Sequence, residues 1–238
     1  MNFKGKNILV VGGSSGIGLK LVNMLSTLGA QVYNASRTKS EDWPDGLIHI
    51  PVDVLTNLDL IAEQLPDNLH GLVYAVGSIN LKPFSRYTED DFIQDYRLNV
   101  TGAARSIQLA YRSLKNSGVA SIVLISSVAA KTGMPYHASI AAAKGGVESL
   151  ALSLAAEFAS QNIRVNVVAP SLTDTSLAGN LLNTPEKREA SAKRHPLGRI
   201  GKPEDIASAI SFLLSDESGW ISGQVLGIDG GMGNLKTL

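Results

Sequence analysis

The sequence predicts an α/β fold, a single doubly wound domain around a parallel sheet of about seven strands. Two observations carry this. Short β-branched apolar runs alternate with longer segments of helical periodicity from one end to the other. The first run, Asn7–Val11, opens directly into the glycine-rich turn Gly12-Gly13-Ser14-Ser15-Gly16-Ile17-Gly18 and then a helical pattern. No linker or internal repeat interrupts the 238 residues, so one domain over 1–238 is expected. A hydrophobic fraction of 44% with 18% charged residues suffices for a sizeable core. Lys plus Arg equals Asp plus Glu at 21 each, so no net field favours nucleic acid or an anionic membrane, and neither is expected as a partner. The absence of cysteine excludes disulfides, thiolate metal ligands and a cysteine nucleophile, and no metal site is expected. The first residues lack a signal-peptide core and no apolar stretch reaches the length of a membrane span, so a soluble, cytoplasmic protein is expected.

In the glycine turn, Gly12 permits a tight bend, Gly16 lets a phosphate approach the backbone, and Gly18 lets the helix pack on the strand. Leu19, Leu21, Val22, Leu25 and Leu28 then recur at helical spacing. The free N–H groups around Ser14, Ser15 and Ile17 would face a pyrophosphate at the helix N-terminus. The bland alternative is a turn that binds nothing. The second strand, Gln31–Ala35, ends in Ser36-Arg37-Thr38, with no Asp or Glu before Glu41 to bind two ribose hydroxyls. Ser36 and Arg37 instead offer a hydroxyl and a fixed cation to a 2′-phosphate, which favours NADP(H) over NAD(H).

Residues 38–46 read as a loop with little room for a crossover helix. A third strand, Leu47–Val52, ends at Asp53-Val54, where the carboxylate meets an adenine amino group or caps a helix over Leu58–Leu65. The fourth, Leu69–Ala75, closes at Val76-Gly77, where glycine allows a ligand close to the backbone. Asp90–Leu114 has helical periodicity with Asn99, a poor helix former, at its middle. The fifth strand, Ala120–Ile125, ends at Ser126-Ser127, and a helix over Ile140–Phe158 carries Lys144. The sixth, Ile163–Ala169, is followed by Pro170, Thr173 and Thr175. Residues 175–196 are polar and loosely amphipathic, more like a lid than core. Pro203 opens a helix through Leu213, and Gln224–Ile228 is a final strand before Asp229-Gly230-Gly231.

These residues together resemble the short-chain dehydrogenase/reductase superfamily over essentially the whole chain. The resemblance rests on Gly12-x-x-x-Gly16-Ile17-Gly18, Asp53, Leu98-Asn99-Val100-Thr101-Gly102, Ser126-Ser127 and Lys144-Gly145-Gly146-Val147. Arg164–Pro170, Pro196–Ala207 and the terminal Asp229-Gly230-Gly231 complete it. It implies a Rossmann-like fold, an NADP(H)-dependent oxidoreductase, and a catalytic Asn-Ser-Tyr-Lys set of which Asn99, Ser127 and Lys144 are present. It further implies cofactor contacts at Gly12, Ser14, Ser15, Gly16, Ile17, Gly18, Ser36, Arg37, Asp53, Val54, Ala75, Gly77, Lys144, Pro170, Thr173 and Thr175. A homodimer or homotetramer is implied as well, with the helices around Asn99–Leu114 and Ile140–Phe158 as the pairing surface. The substrate would be a small molecule lying between Ile79–Tyr87 and Leu177–Arg194.

The tyrosine implied four residues before Lys144 is absent: position 140 is isoleucine, 13 residues after Ser127. A positioned general acid typically contributes on the order of 100- to 10,000-fold, so ordinary carbonyl reduction needs a substitute. Three readings follow. Tyr136 or His137, one turn upstream, replaces the acid. Alternatively the substrate is an activated C=C, whose enolate Ser127, Lys144 and backbone donors hold while water supplies the proton. Or the chain binds nucleotide with little turnover and acts as a sensor or subunit partner. Retention of Asn99, Ser127 and Lys144 favours an enzyme. Two smaller departures are Tyr74-Ala75-Val76-Gly77 in place of Asn-Asn-Ala-Gly, and Pro170-Ser171 in place of Pro-Gly.

Overall fold

The computed structural model describes residues 1–236. Seven strands form one parallel sheet: β1 (Asn7–Val11), β2 (Gln31–Ser36), β3 (Ile48–Pro51), β4 (Gly71–Tyr74), β5 (Ala120–Ile125), β6 (Ile163–Pro170) and β7 (Val225–Ile228). Their spatial order is β3-β2-β1-β4-β5-β6-β7. The chain winds outward from β1 to β3 and then returns to the other side of β1. That reversal leaves a crevice at the carboxyl ends of β1 and β4, where open α/β sheets bind ligands.

The helices are α1 (Gly16–Thr27), α2 (Leu60–Gln64), α3 (Glu89–Tyr96), α4 (Gly102–Asn116), α5 (Ala138–Phe158), α6 (Pro185–Lys193) and α7 (Pro203–Leu214). The strands are apolar runs because both faces of the sheet are covered, and alternate residues part to opposite sides. Leu9, Leu72, Ile122 and Val165 pack with Ile107 and Leu114 of α4 and Val147 and Phe158 of α5. Ile8, Val10, Val73 and Val123 pack with Leu21 and Leu25 of α1 and Ile206 and Ile210 of α7. Strand ends differ from the sequence reading by one or two residues, and residues 38–46 hold no helix, as expected. Trp43 from that loop donates its indole N–H to the Gly13 carbonyl at 2.8 Å, pinning the loop to the glycine turn.

Three expectations are corrected. The helix read over Asp90–Leu114 is two helices joined by a π-helical turn at Arg97–Thr101. There the Gly102 N–H reaches back to the Arg97 carbonyl. The Leu98 carbonyl is thereby released from the helix ladder and accepts the Tyr74 hydroxyl at 2.6 Å. A Cβ on Gly102 would overlap that hydroxyl. The helix expected to start at Ile140 starts at Ala138, with His137 at its N-cap. The helix read over Leu58–Leu65 is only Leu60–Gln64, and its N-cap position falls to Asp59, which makes no side-chain cap bond, rather than to Asp53. The Asp53 carboxylate instead accepts the Leu55 N–H at 2.9 Å and closes a local turn.

The Tyr74–Leu98 hydrogen bond spans the sheet and the π turn, and Tyr74 is buried. Tyr74→Phe strands the Leu98 carbonyl without a donor, so urea unfolding is expected to show a loss of about 1–3 kcal/mol. An unchanged midpoint would mean that the turn holds without it.

Candidate functional site

The glycine turn is shaped as an anion seat. Gly12 has φ +97°, and a Cβ there would press on Val76 and the Ala75 backbone at 2.9–3.1 Å. A Cβ on Gly18 would collide with the Gly12 carbonyl, so α1 can start this close to β1 only with glycine there. Ser15, the N-cap of α1, makes no side-chain cap bond, and the first turn holds no acidic residue. The leading N–H groups of α1 are therefore open to a phosphate, which the helix dipole also favours. This cradle fits a dinucleotide pyrophosphate.

At the end of β2, Arg37 is exposed, while Ser36 is buried. The Ser36 hydroxyl, expected to face a 2′-phosphate, instead accepts from Asn34 Nδ2 at 3.0 Å and donates to the Thr38 carbonyl at 2.9 Å. It is engaged within the fold, and only Arg37 of the pair stands free. Asp53 and Val54, half-buried beyond β3, lie on the same side of the switch point.

On the other side of that point the remaining residues converge. Lys144, on α5, is only 6% exposed and donates from Nζ to the Ile125 carbonyl at 2.8 Å. Burial pushes its pKa down to about 8, partly opposed by Asp95. Asn99, 1% exposed in the π turn, donates from Nδ2 to the Asp95 carbonyl at 2.8 Å. Its Oδ1 is buried with no partner among the described residues. Lys144 Nζ and Asn99 Oδ1 both stand 3.5 Å from the position a Cβ on Gly77 would take, so the bare Gly77 backbone is the floor between them. Ser127 follows β5, and its oxygen accepts the Ala129 N–H at 3.2 Å. The preceding Ser126 is turned inward onto Glu148 at 2.9 Å.

A cleft of about 440 Å³ opens above these groups. Ile17, Ala75, Gly77, Pro170, Thr173 and Thr175 line it, together with Ser127 and Lys144. Thr175 also packs beside Gly16, which joins the end of β6 to the glycine turn. Ile140, 5% exposed, is part of the wall. Tyr136 is not. It precedes α5 with φ +70°, is 59% exposed, and its carbonyl accepts from the Tyr87 hydroxyl at 2.8 Å. Because α5 begins after it, Tyr136 does not stand one helical turn above position 140, and its proposed reach into the site fails. His137 does line the cleft, with Nδ1 bonded to the Pro135 carbonyl at 2.7 Å.

The sequence reading missed two groups. Asp95 is buried and accepts from Ser78 at 2.6 Å and Ser139 at 2.7 Å. Its position four residues before Asn99 put it on the same helix face, which was a usable signal. Ser171 and His195 meet at 2.8 Å on the cleft wall. Ser171 was visible only as the residue in place of glycine after Pro170, and nothing local pairs it with a residue 24 positions on.

The depressed Lys144 value has a consequence for stability. Its folded pKa, about 8, lies below the unfolded 10.5, so between those values the unfolded chain holds more protons. Stability from this group then rises with pH across that window, by up to about 1.4 kcal/mol per unit. Relative to Lys144→Met, the wild type is expected to gain about 2 kcal/mol between pH 7.5 and 10 in urea unfolding. A constant difference would show that Nζ keeps an ordinary value.

Comparison with known proteins places this geometry in a family. A family model described as enoyl-(acyl carrier protein) reductase matches residues 11–233. A tropinone reductase homologue of Arabidopsis thaliana is 37% identical over 242 residues, 95% of this chain and 92% of that protein. A short-chain type dehydrogenase/reductase from Mycobacterium ulcerans superposes with TM-score 0.89 at 30% identity, over 98% of this chain and 91% of the other. ElxO, solved with NADP bound, superposes with TM-score 0.87 at 26% identity, over 95% and 98%. The match runs through the glycine turn, the strand ends and the terminal glycines alike, and the chain belongs to the short-chain dehydrogenase/reductase superfamily, a family of oxidoreductases.

Proposed function

We propose that this chain is an NADP(H)-dependent oxidoreductase that directs hydride to a small carbonyl or activated C=C substrate. The observation that carries the reading is the convergence at Gly77 of a buried Lys144 Nζ and an unpartnered Asn99 Oδ1 beneath an apolar cleft. A buried ammonium and an orphaned amide oxygen both cost free energy unless a ligand or ordered water completes them. When bound, the reduced nicotinamide supplies the hydride.

The chain's own residues then have separate tasks. The Gly12–Gly18 turn and the α1 N-terminus hold the pyrophosphate. Arg37 receives a 2′-phosphate that no carboxylate at the end of β2 repels, and Asp53 and Val54 border the adenine. Ala75 and Gly77 run beneath the ribose, with Pro170, Thr173 and Thr175 around the carboxamide. Lys144 donates to the ribose hydroxyls, Asn99 holds a water, and Ser127 polarises the substrate oxygen. Ile79, Leu81, Met134, Leu177 and Leu181 present an apolar wall to the substrate body. Residues 175–196 act as its cover. The protein works in the cytoplasm as a homodimer or homotetramer through α4 and α5. That ElxO was solved with NADP supports the cofactor choice, and the enoyl reductase description of the family model supports C=C substrates.

Fluorescence titration with NADPH and NADH, followed by ketones, enones and quinones, tests this. NADPH is expected to bind at least about tenfold more tightly, through a charge-assisted contact that Arg37→Ala removes. Lys144→Ala is expected to abolish turnover. NADPH binding with no substrate-dependent oxidation across the panel would defeat the enzyme reading.

A further inference from the structure

We propose that Ser171 and His195 are the proton donor of this site, acting on a carbonyl substrate; the proposal rests on the oxidoreductase reading above. Ser171 directly follows Pro170, the last residue of β6, and its Oγ lies 2.8 Å from His195 Nε2. His195 is 3% exposed, and its Nδ1 lies 2.8 Å from the Ser191 carbonyl. A carbonyl can only accept, so Nδ1 carries a proton. Nε2 is then either a lone pair receiving the Ser171 proton or, in the imidazolium, a donor to Oγ. In the second state the Ser171 hydroxyl hydrogen is released from the ring and free to face the cleft, which both residues line.

The register of the sheet brings this pair to the reacting end. Ile125 of β5 stands opposite Val168 of β6, and the Ser126 N–H still reaches the Val168 carbonyl at 2.8 Å. Continuing that register sets Ser127 beside Pro170, one residue short of Ser171, on neighbouring strands about 4.8 Å apart. Ser127, Ser171 and His195 all line the one cleft at these strand ends, where a substrate carbonyl would sit. Other candidates serve less well. Among the described residues the His137 ring bonds only within its own segment, to the Pro135 carbonyl. Both Asp95 oxygens already accept from serines.

In the reducing direction the hydride carries its electron pair from the dihydronicotinamide to the carbonyl carbon. The π pair collects on oxygen, which takes the Ser171 hydroxyl proton. Oγ keeps the electrons of the broken O–H bond and takes the Nε2 proton of His195. The ring is left neutral, its Nδ1–H still on Ser191, and recovers a proton from water. The carbonyl is reduced to an alcohol and the dihydronicotinamide is oxidised. Ile140, which can neither donate nor accept, then needs no polar replacement at its own position.

A purely structural His195 would cap α6, which a hydrogen bond from its ring to Ser191 also does. Steady-state reduction of phenanthrenequinone and acetophenone by NADPH separates the two roles. Ser171→Ala and His195→Gln are expected to lower kcat by about 100-fold or more, with KM and NADPH affinity nearly unchanged. Added imidazole is expected to restore turnover to His195→Gly. Ser171→Ala removes a single oxygen and tests the step even where a His195 variant fails to fold. Independently of activity, long-range proton–nitrogen NMR of the neutral ring is expected to show Nδ1 protonated and an Nε2 signal that shifts in Ser171→Ala. Full kcat in Ser171→Ala, a loss confined to His137→Asn, or a ring protonated at Nε2 alone overturns the proposal while leaving the oxidoreductase reading intact. A wild type that binds NADPH but consumes none with either probe overturns this proposal, and the oxidoreductase reading falls with it only if enones also leave NADPH unconsumed.

Discussion

A buried ammonium is the constraint around which this molecule is arranged. Lys144 lies within an apolar fold with its Nζ on a single acceptor among the described residues, the Ile125 carbonyl. Removing such a charge from water costs several kcal/mol, and one hydrogen bond does not offset it. The surrounding groups answer that cost in kind. Ile125 ends a central strand, Asp95 supplies a field of opposite sign, and Asn99 Oδ1 stands across Gly77 from the amine. A site that leaves buried polar groups incompletely satisfied favours a ligand or water that completes them.

The π turn at Arg97–Thr101 is what allows Asn99 into this arrangement. A regular helix would use the Leu98 carbonyl in its own ladder. The extra residue in the turn frees that carbonyl for Tyr74, from the strand beneath, and aims the Asn99 side chain into the core. The same helix face carries Asp95, fixed by hydroxyls from Ser78 and Ser139. These bonds link α3 to α5 and to the segment after β4. Such bulges recur where helices serve a site.

Ile140 contributes an apolar patch to the cleft wall. Lys144 and Ser127 line the cleft with Asn99 buried beside Gly77, whereas the wall at position 140 is apolar. Across the cleft, Ser171 and His195 bring polarity to the ends of β6 and α6. Neither residue belongs to the glycine turn or to the buried core of α5.

The sequence by itself determined the doubly wound fold, the glycine seat and the strand-end position of most site residues. Those features are local: an apolar run, a glycine spacing, a helical stripe. It also showed that position 140 is isoleucine. Three things waited for the tertiary structure. Whether Tyr136 reaches the site depended on where α5 begins, a boundary that periodicity places only loosely. The inward turn of the Ser36 hydroxyl depended on Asn34 and Thr38 around it. The meeting of Ser171 with His195 depended on α6 folding back over the end of β6. Side-chain hydrogen bonds between distant segments have no periodicity to betray them, so only the packed chain decides which polar atoms face one another.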